Sequence, residues 1–314
     1  MELNGGMPTA TTAVAAIVVN YRTPELTIAC VESLLAQSAA RPHVIVVDNR
    51  SGDESVAHFR AAWAQHEAVT IVARDVNDGY AGGNNAGFAI ARKMGARYAF
   101  VLNSDTVVDR DCLRLMMEEA DRTPGAAIVS PCIFFGEPRD LLWFGGGAFS
   151  LWAGRARHIG FKRRASAGLR EIADIGFATG CAMLIRLGAP GVRDFDASFF
   201  SYAEDLDLSL NVLDAGSRIR YVPEAIVWHY EGASHRKAGG EALRFYLNTR
   251  NLLRTDARHA RWYHWITLGP MIAVDVIGRF VVVALLRGDV AAAGAVLRGA
   301  WDAASGGKHT IERD

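Results

Sequence analysis

Short runs of apolar, often β-branched residues alternate with amphipathic segments through the first hundred residues. Val14 to Val19 is the first run and ends at Asn20-Tyr21-Arg22-Thr23-Pro24, the pattern of a buried strand stopped by a polar loop. Thr23 and Pro24 open a helix predicted over about Pro24 to Gln37, with Leu26, Ala29, Cys30, Ser33 and Leu34 at helical spacing. Val44 to Val47 predicts a second strand, which delivers Asp48-Asn49 to its C-terminal end. The unit then repeats: helix about Ser55 to Ala64, strand Val69 to Ala73, a glycine-rich loop, helix about Asn85 to Met94 and strand Tyr98 to Leu102. Such alternation predicts an α/β fold with a mostly parallel central sheet, flanked by helices and joined by right-handed crossovers.

The second half is less regular. Ala126 to Ser130 and Ala182 to Ile185 read as strands, separated by a long Gly- and Arg-rich stretch from Phe134 to Ala173. An acidic helix at Glu204 to Ala215 follows, then short extended pieces at Ile219 to Val222 and Ala225 to Trp228. From Arg244 the chain turns helical and arginine-rich, and from Ile266 to Leu286 it is mostly apolar, beside an aromatic cluster at Trp262, Tyr263 and Trp265. That span is long enough to cross a bilayer, but Asp275 and Arg279 lie within it and would be costly at mid-bilayer. Two readings stay open: an in-plane or hairpin membrane anchor, and amphipathic helices that serve the core or an oligomer.

The 314 residues are 50% hydrophobic, enough for a substantial core. Thirty-four basic residues balance thirty-four acidic ones, so no global field draws in nucleic acid, and no nucleic-acid partner is expected. Cys30, Cys112, Cys132 and Cys181 are far apart and form no C-x-x-C pair, which argues against a zinc knuckle or disulfide scaffold and fits a reducing compartment. Met1 to Ala16 lacks a basic region and a long apolar core, so no secretory signal is read there and a cytoplasmic location is expected.

Ligands of open parallel sheets lie outside the carboxyl ends of the strands, and Asn20, Asp48, Asn77 and Asp105 follow the strands in succession. A carboxylate such as Asp48 can accept the imide N–H of a pyrimidine base, whereas Asp53 reads as a helix cap. Asn77 to Gly87 departs from G-x-G-x-x-G, which argues against a dinucleotide-binding oxidoreductase. Its small residues let backbone approach a ligand at an anion-favouring helix N-terminus; the plainer reading is a turn with an N-cap at Asn84.

In Leu102-Asn103-Ser104-Asp105-Thr106, Asp105 is the candidate ligand for a hard divalent cation, which takes one or two carboxylates when it bridges phosphates. Asp109 and Asp111 read as caps. In Phe199 to Leu208, Ser201 and Glu204 have capping-box spacing, which gives Glu204 a structural role and leaves Asp205 to face the crevice. There a carboxylate can take a proton from an attacking hydroxyl. His229, ending Val227-Trp228-His229, is a second metal-ligand candidate once Asp105 is in view, while His235 is a poorer one in a Gly/Ser loop.

Taken in order, Asn20-Tyr21, Val47-Asp48-Asn49-x-Ser51, Asn77-x-Gly79, Leu102-Asn103-x-Asp105, Thr179-Gly180, Phe199-Phe200-x-Tyr202-x-Glu204-Asp205-x-Asp207, His229 and Arg250-Asn251 resemble family 2 glycosyltransferases of the GT-A fold, in particular a bacterial rhamnosyltransferase-like branch. The resemblance covers about Ala15 to Asn251. It implies an inverting enzyme that moves a sugar from a nucleoside diphosphate sugar, dTDP-rhamnose or a UDP-sugar, to a hydroxyl of a glycan or lipid-linked glycan in cell-surface polysaccharide biosynthesis, assisted by Mg²⁺ or Mn²⁺.

By the same resemblance Asn20, Tyr21, Arg22, Asp48, Asn77, Gly79, Asn85, Asn103, Ser104 and Asp105 line the donor side. Asp105 and His229 hold the metal, Asp205 is the general base with Glu204 beside it, and Thr179, Gly180 and Tyr202 lie on the acceptor side. The implied organisation is a flexible tail over 1–13, a GT-A domain over 14–250 divided into a nucleotide-binding half (14–125) and an acceptor half (126–250), and a helical extension over 251–314. Peripheral contact with the inner face of the cell membrane is one reading of that extension. Trp143, Phe144 and Trp152 either stack on sugar rings or fill a core.

Two departures stand out. The familiar Asp-x-Asp metal motif is Asn103-Ser104-Asp105, with one carboxylate, and Asn211 occupies a position where this branch often has Arg. Arg218, Arg220, Arg236 and Lys237 are then the alternative diphosphate contacts. The rival classes are a nucleotide-sugar-binding protein without turnover and a Rossmann oxidoreductase.

Overall fold

The computed structural model describes residues 2–4, 13–39, 41–164, 171–230 and 240–307. Apolar runs with no polar face are stable in the middle of a sheet covered on both sides. Val14–Asn20 (β2), His43–Asp48 (β3), Val69–Ala73 (β4) and Tyr98–Asn103 (β5) take that place, and every residue of β2 and β3 is buried. Inside the expected loose tail, Glu2–Asn4 (β1) pairs antiparallel with β4, whose outer backbone groups would otherwise face water. The remaining strands are Thr106–Val108 (β6), Ala126–Phe135 (β7), Leu142–Phe144 (β8), Gly147–Ser150 (β9), Arg155–His158 (β10), Ala173–Asp174 (β11), Ala182–Arg186 (β12) and Arg218–His229 (β13).

The main sheet runs β1-β4-β3-β2-β5-β12-β7-β13-β11, with β6 on β13 and β8 on β7. It is a mixed α/β sheet. From β4 to β5 it is parallel, as the strand–helix alternation requires. Beyond β5 the alternation stops, and β12 is antiparallel to both β5 and β7 while β13 returns parallel to β7. The two extended pieces expected after residue 218 are one strand, irregular in register between Val222 and Ile226.

Pro24–Leu35 (α1), Ser55–Trp63 (α2), Gly79–Lys93 (α3), Cys112–Arg122 (α4) and Glu204–Asp214 (α5) accompany the sheet. α3 starts six residues before the expected Asn85, so the glycine-rich stretch is its first turns and not a loop. Propensity disfavours this, but packing decides it: a Cβ at Gly83 would meet Val19 Cγ1 at 2.7 Å, and one at Gly87 would collide with Ile17, so the small residues let α3 lie directly on β2. Asn84 is therefore inside the helix, donating to the Tyr80 carbonyl at 2.9 Å, and is no N-cap.

Gly240–His259 (α6) runs unbroken through the boundary expected at 250/251. Trp265–Ala273 (α7), a π-helical stretch Val274–Val281, Val282–Leu286 (α8) and Val290–Ser305 (α9) follow. α9 lies along α6, where Gly299 admits the Tyr246 carbonyl at 2.6 Å from its missing Cβ position. Among the described residues no helix is long and apolar enough to cross a membrane. Asp275, a costly residue in lipid, accepts two bonds from Arg155 at 2.6 Å each, which ties β10 to the C-terminal helices.

Candidate active site

Strand direction collects the chemistry. β2, β3, β4, β5, β7 and β13 point one way and β12 the other, so residues that follow the first group and residues that precede β12 emerge at one edge. In register, Asn20 stands opposite Asp48, Val19 opposite Asn103, and His229 opposite Thr106. With neighbouring strands about 4.8 Å apart, positions 48, 20 and 103 form a row on the order of 10 Å long. The Asn103 N–H donates to the Cys181 carbonyl at 3.0 Å, and the adjacent Gly180 N–H donates to Asp205 Oδ2 at 2.7 Å. Asp105 and Asp205 thus open onto the same edge.

Among the residues expected on the donor side, Asp48 is buried and its Oδ1 accepts from Asn20 Nδ2 at 2.8 Å and the Ser51 hydroxyl at 2.5 Å, while Oδ2 accepts from the Ser51 N–H at 3.0 Å. Asn20 also accepts from Thr27 Oγ1 at 2.8 Å, so it is a buried hub that shapes two loop ends. Arg22, at φ 59°, donates to the Ser51 carbonyl at 2.9 Å with its guanidinium 4.9 Å from the Tyr21 ring. Asn77 Oδ1 accepts from Asn49 Nδ2 at 2.8 Å and the Gly79 N–H at 3.0 Å, which pins the approach to α3. The Ser104 and Thr23 hydroxyls are 3.2 Å apart. Asn85 is not brought to this row. Both of its amide atoms bond the Phe195 backbone, at 2.8 and 3.0 Å, because it lies on the second turn of α3.

Asp105 and His229 are both buried, with Oδ1 and Nε2 3.1 Å apart. Two bonds of about 2.1 Å at a right angle span roughly 3.0 Å, so this pair fits adjacent positions around one octahedral cation. His229 Nδ1 is buried with no hydrogen-bond partner among the described residues. Burial disfavours the charged ring, yet the Cys181 sulfur and the Asp105 carboxylate outweigh it and hold His229 well above its ordinary value. Among the described residues no third His, Cys, Asp or Glu joins them, and a hard divalent cation needs only one or two carboxylates from the protein.

The acidic helix departs from expectation. Its N-cap is Ala203, at φ 64°, with no side-chain cap bond, so Ser201 and Glu204 form no capping box. The positive φ values of Tyr202 and Ala203 turn the chain into α5 by a route that leaves Ser201 off the helix end. Glu204 is consequently without the structural role expected of it. It is buried, and its Oε2 has no partner among the described residues. Burial, then the neighbouring Asp205 charge, pushes its carboxyl well up. Asp205 is half-buried, with Oδ1 accepting from the Leu206 N–H at 2.8 Å; burial raises its pKa against the pull of the Gly180 and Leu206 N–H groups. Asp207 is turned away, to Arg193 at 2.7 Å and His259 at 3.1 Å.

The residues expected on the donor and acceptor sides touch. The Tyr80 hydroxyl donates to the Gly180 carbonyl at 2.5 Å, and the Ala81 N–H donates to the Phe200 carbonyl at 3.1 Å. Thr179 Oγ1 accepts from the Cys181 N–H at 3.3 Å, bracing the turn that presents Gly180. Arg218 and Arg220 lie at the opposite edge, at the start of β13, in ion pairs with Asp174 and Glu119, so neither reaches this site. Arg236, Lys237 and His235 lie outside the described residues.

His158 escaped the sequence reading, since it belongs to no periodic segment. Its ring lies 4.7 Å from Trp143, whose ring also lies 4.7 Å from His229, and it is near enough to Asp205 to pull that carboxyl's pKa down. Trp143 therefore stands between the two halves of the site, with its Nε1 buried and unpartnered among the described residues. Phe144 is core, and Trp152 packs instead against Tyr263 and His264 of the C-terminal segment.

A mixed α/β sheet that brings Asp48, the Asp105–His229 pair and an acidic helix to one edge is a GT-A-type glycosyltransferase fold. Residues 15–188, more than half of the chain, match the model for glycosyl transferase family 2, and the chain belongs to that family. It is 37% identical over 105 residues to succinoglycan biosynthesis protein ExoO of Rhizobium meliloti (strain 1021), a match covering 33% of this chain and 29% of that protein. It is 34% identical over 76 residues to rhamnosyltransferase WbbL of Escherichia coli (strain K12), covering 24% of this chain and 29% of that one. Both matches thus span less than a third of the relative's length.

Two solved structures share the fold at low identity. GalNAc-T7 with UDP, GalNAc and Mn²⁺ superposes with a TM-score of 0.61 at 13% identity, over 79% of this chain and 48% of that one. Mannosyltransferase PcManGT from Pyrobaculum calidifontis, in complex with GDP-Man and Mn²⁺, gives 0.56 at 14% identity over 95% and 88%.

Proposed function

We propose that this glycosyltransferase transfers a sugar, with inversion, from a nucleoside diphosphate sugar to a hydroxyl of a growing cell-surface glycan. The observation that carries the reading is the convergence of Asp205 and the Asp105–His229 pair on one sheet edge, joined through Gly180, Cys181 and Asn103. Asp48, Asn77, Gly79 and the row beside them form the donor side. Asp205, oriented by the Gly180 N–H, takes the proton of the attacking hydroxyl, and its burial keeps it basic enough to do so. Asp105 and His229 would hold Mg²⁺ or Mn²⁺, which when bound neutralises charge on the departing diphosphate. Thr179, Gly180 and Tyr202 border the acceptor. The names of ExoO and WbbL support polysaccharide synthesis as the setting and dTDP-rhamnose or a UDP-sugar as donors to try first. Exposed apolar residues on the C-terminal helices support a lipid-linked acceptor met at a membrane surface.

The test is nucleoside diphosphate release across dTDP-, UDP- and GDP-sugars with Mn²⁺, with Mg²⁺ and after chelation. Asp205→Asn is expected to lower kcat by about 10² to 10⁴-fold while nucleotide binding persists. Turnover at the wild-type rate in that variant would remove Asp205 from its role, and full activity after chelation would remove the metal.

A further inference from the structure

Phe200, Tyr202 and Ala203 have positive φ, at 65°, 72° and 64°. Non-glycine residues hold such a conformation when their surroundings impose it. The segment leads directly into α5 and so decides where Glu204 and Asp205 emerge. What constrains it comes from α6, some fifty residues further along. Arg250 Nη2 donates to the carbonyls of Ser198 at 3.1 Å and Phe199 at 3.0 Å. Asn251 Nδ2 donates to those of Phe199 at 2.9 Å, Ser201 at 2.8 Å and Tyr202 at 2.9 Å. The two side chains are locked to one another, Arg250 Nε donating to Asn251 Oδ1 at 2.8 Å.

Both side chains are buried. The described hydrogen bonds of Arg250 go to carbonyl and amide oxygens and the Tyr246 hydroxyl, with the Tyr246 ring 5.2 Å from its guanidinium. A buried cation is expensive unless its donors are used, and an apolar side chain would fill the space at less cost. The arrangement makes sense where backbone geometry is what must be held. α9 backs it at Gly299, and Arg258 and His259, also on α6, bind Asp207 of α5.

We propose that Arg250 and Asn251 are positioning residues: from outside the matched family segment they hold the 198–203 backbone in its strained course and so fix the Asp205 carboxylate against Gly180. This rests on Asp205 being the base.

Asn251→Asp keeps the side-chain shape and removes the donors to Phe199, Ser201 and Tyr202. It is compared with wild type and Asp205→Asn by calorimetric binding of UDP or dTDP with Mn²⁺, whichever stabilises the wild type, and by kcat against pH. Binding stoichiometry and affinity are expected to stay unchanged while kcat falls about 10- to 100-fold, as for a reacting group displaced by a fraction of an ångström or more. The acid limb of the kcat profile is expected to shift from its wild-type position, because a carboxylate displaced from the Gly180 N–H loses a bond that holds its pKa down, in the company of Glu204, Tyr80 and His158. Wild-type kcat and limb in Asn251→Asp, with Asp205→Asn inactive, would overturn the positioning role alone. An active Asp205→Asn would overturn the base and this proposal together. If Asn251→Asp does not fold, Arg250→Lys, which keeps the charge but loses the forked contact to Ser198 and Phe199, is read by the same measurements and decides in the same way.

Discussion

At the scale of single residues, the site depends on how closely two backbones can approach. Gly79 has φ 78°, and a Cβ there would overlap the Phe200 carbonyl, so the start of α3 and the loop before Asp205 are in direct contact. Gly79→Ala adds left-handed strain and a clash with backbone that has no rotamer to give. It is expected to destabilise by about 2 kcal/mol or more, read as a lower urea midpoint at unchanged m-value. Stability equal to wild type would mean the two loops are not in contact. Single letters in the sequence announced Gly79, Asp105 and Asp205 as candidates. They did not announce that Asn20 and Asn85 spend their amides on the protein itself, because hydrogen-bond partners 28 and 110 residues away are invisible to spacing.

At the scale of elements, α6 contributes a carboxylate in an awkward place. Asp256 is fully buried, neither oxygen has a partner among the described residues, and Gly154 of the β9–β10 turn has room for no Cβ beside it. Burial raises its pKa from 3.8 to about 7. A folded pKa above the unfolded one means the native state keeps a proton that the unfolded chain releases. Stability is therefore greatest below the unfolded value and is lost as pH rises through the window up to about 7. Asp256→Asn is expected to flatten that slope and to stabilise the protein by up to about 4 kcal/mol near pH 8, with little gain near pH 4. Thermal unfolding at both pH values checks it, and an equal effect at the two would show that Asp256 does not titrate in this window.

For the whole molecule, the C-terminal helices leave Trp262 80%, Leu286 81% and Trp301 71% exposed, on a segment whose described acids are engaged: Asp275 by Arg155, Asp289 at the α9 N-cap and Asp302 by Tyr246. Aromatic and aliphatic side chains interspersed with arginines suit the surface of an anionic bilayer. The protein is expected to co-sediment with phosphatidylglycerol-containing vesicles more than with phosphatidylcholine ones, and Trp262→Ala with Leu286→Ala to weaken that partition by about tenfold or more. Equal sedimentation with and without vesicles, in wild type, would rule the contact out.

The strands were legible because a run such as Val14 to Val19 has only one stable environment, and the polar residues that follow those strands do share one edge of the sheet. Local pattern failed where a distant surface overrode local preference. The glycines before Asn85 became helix because β2 leaves no space for larger side chains, and Ser201 missed its capping role because the chain enters α5 in the left-handed region. Neighbours along the chain were enough to dictate the alternation of strands and helices in the first half and the buried strands there. They could not dictate that β12 runs backwards to bring Gly180 to Asp205, or that Arg250 and Asn251 hold the loop that leads into α5. Those are contacts between segments remote in sequence, and their geometry exists once the sheet has closed around its core.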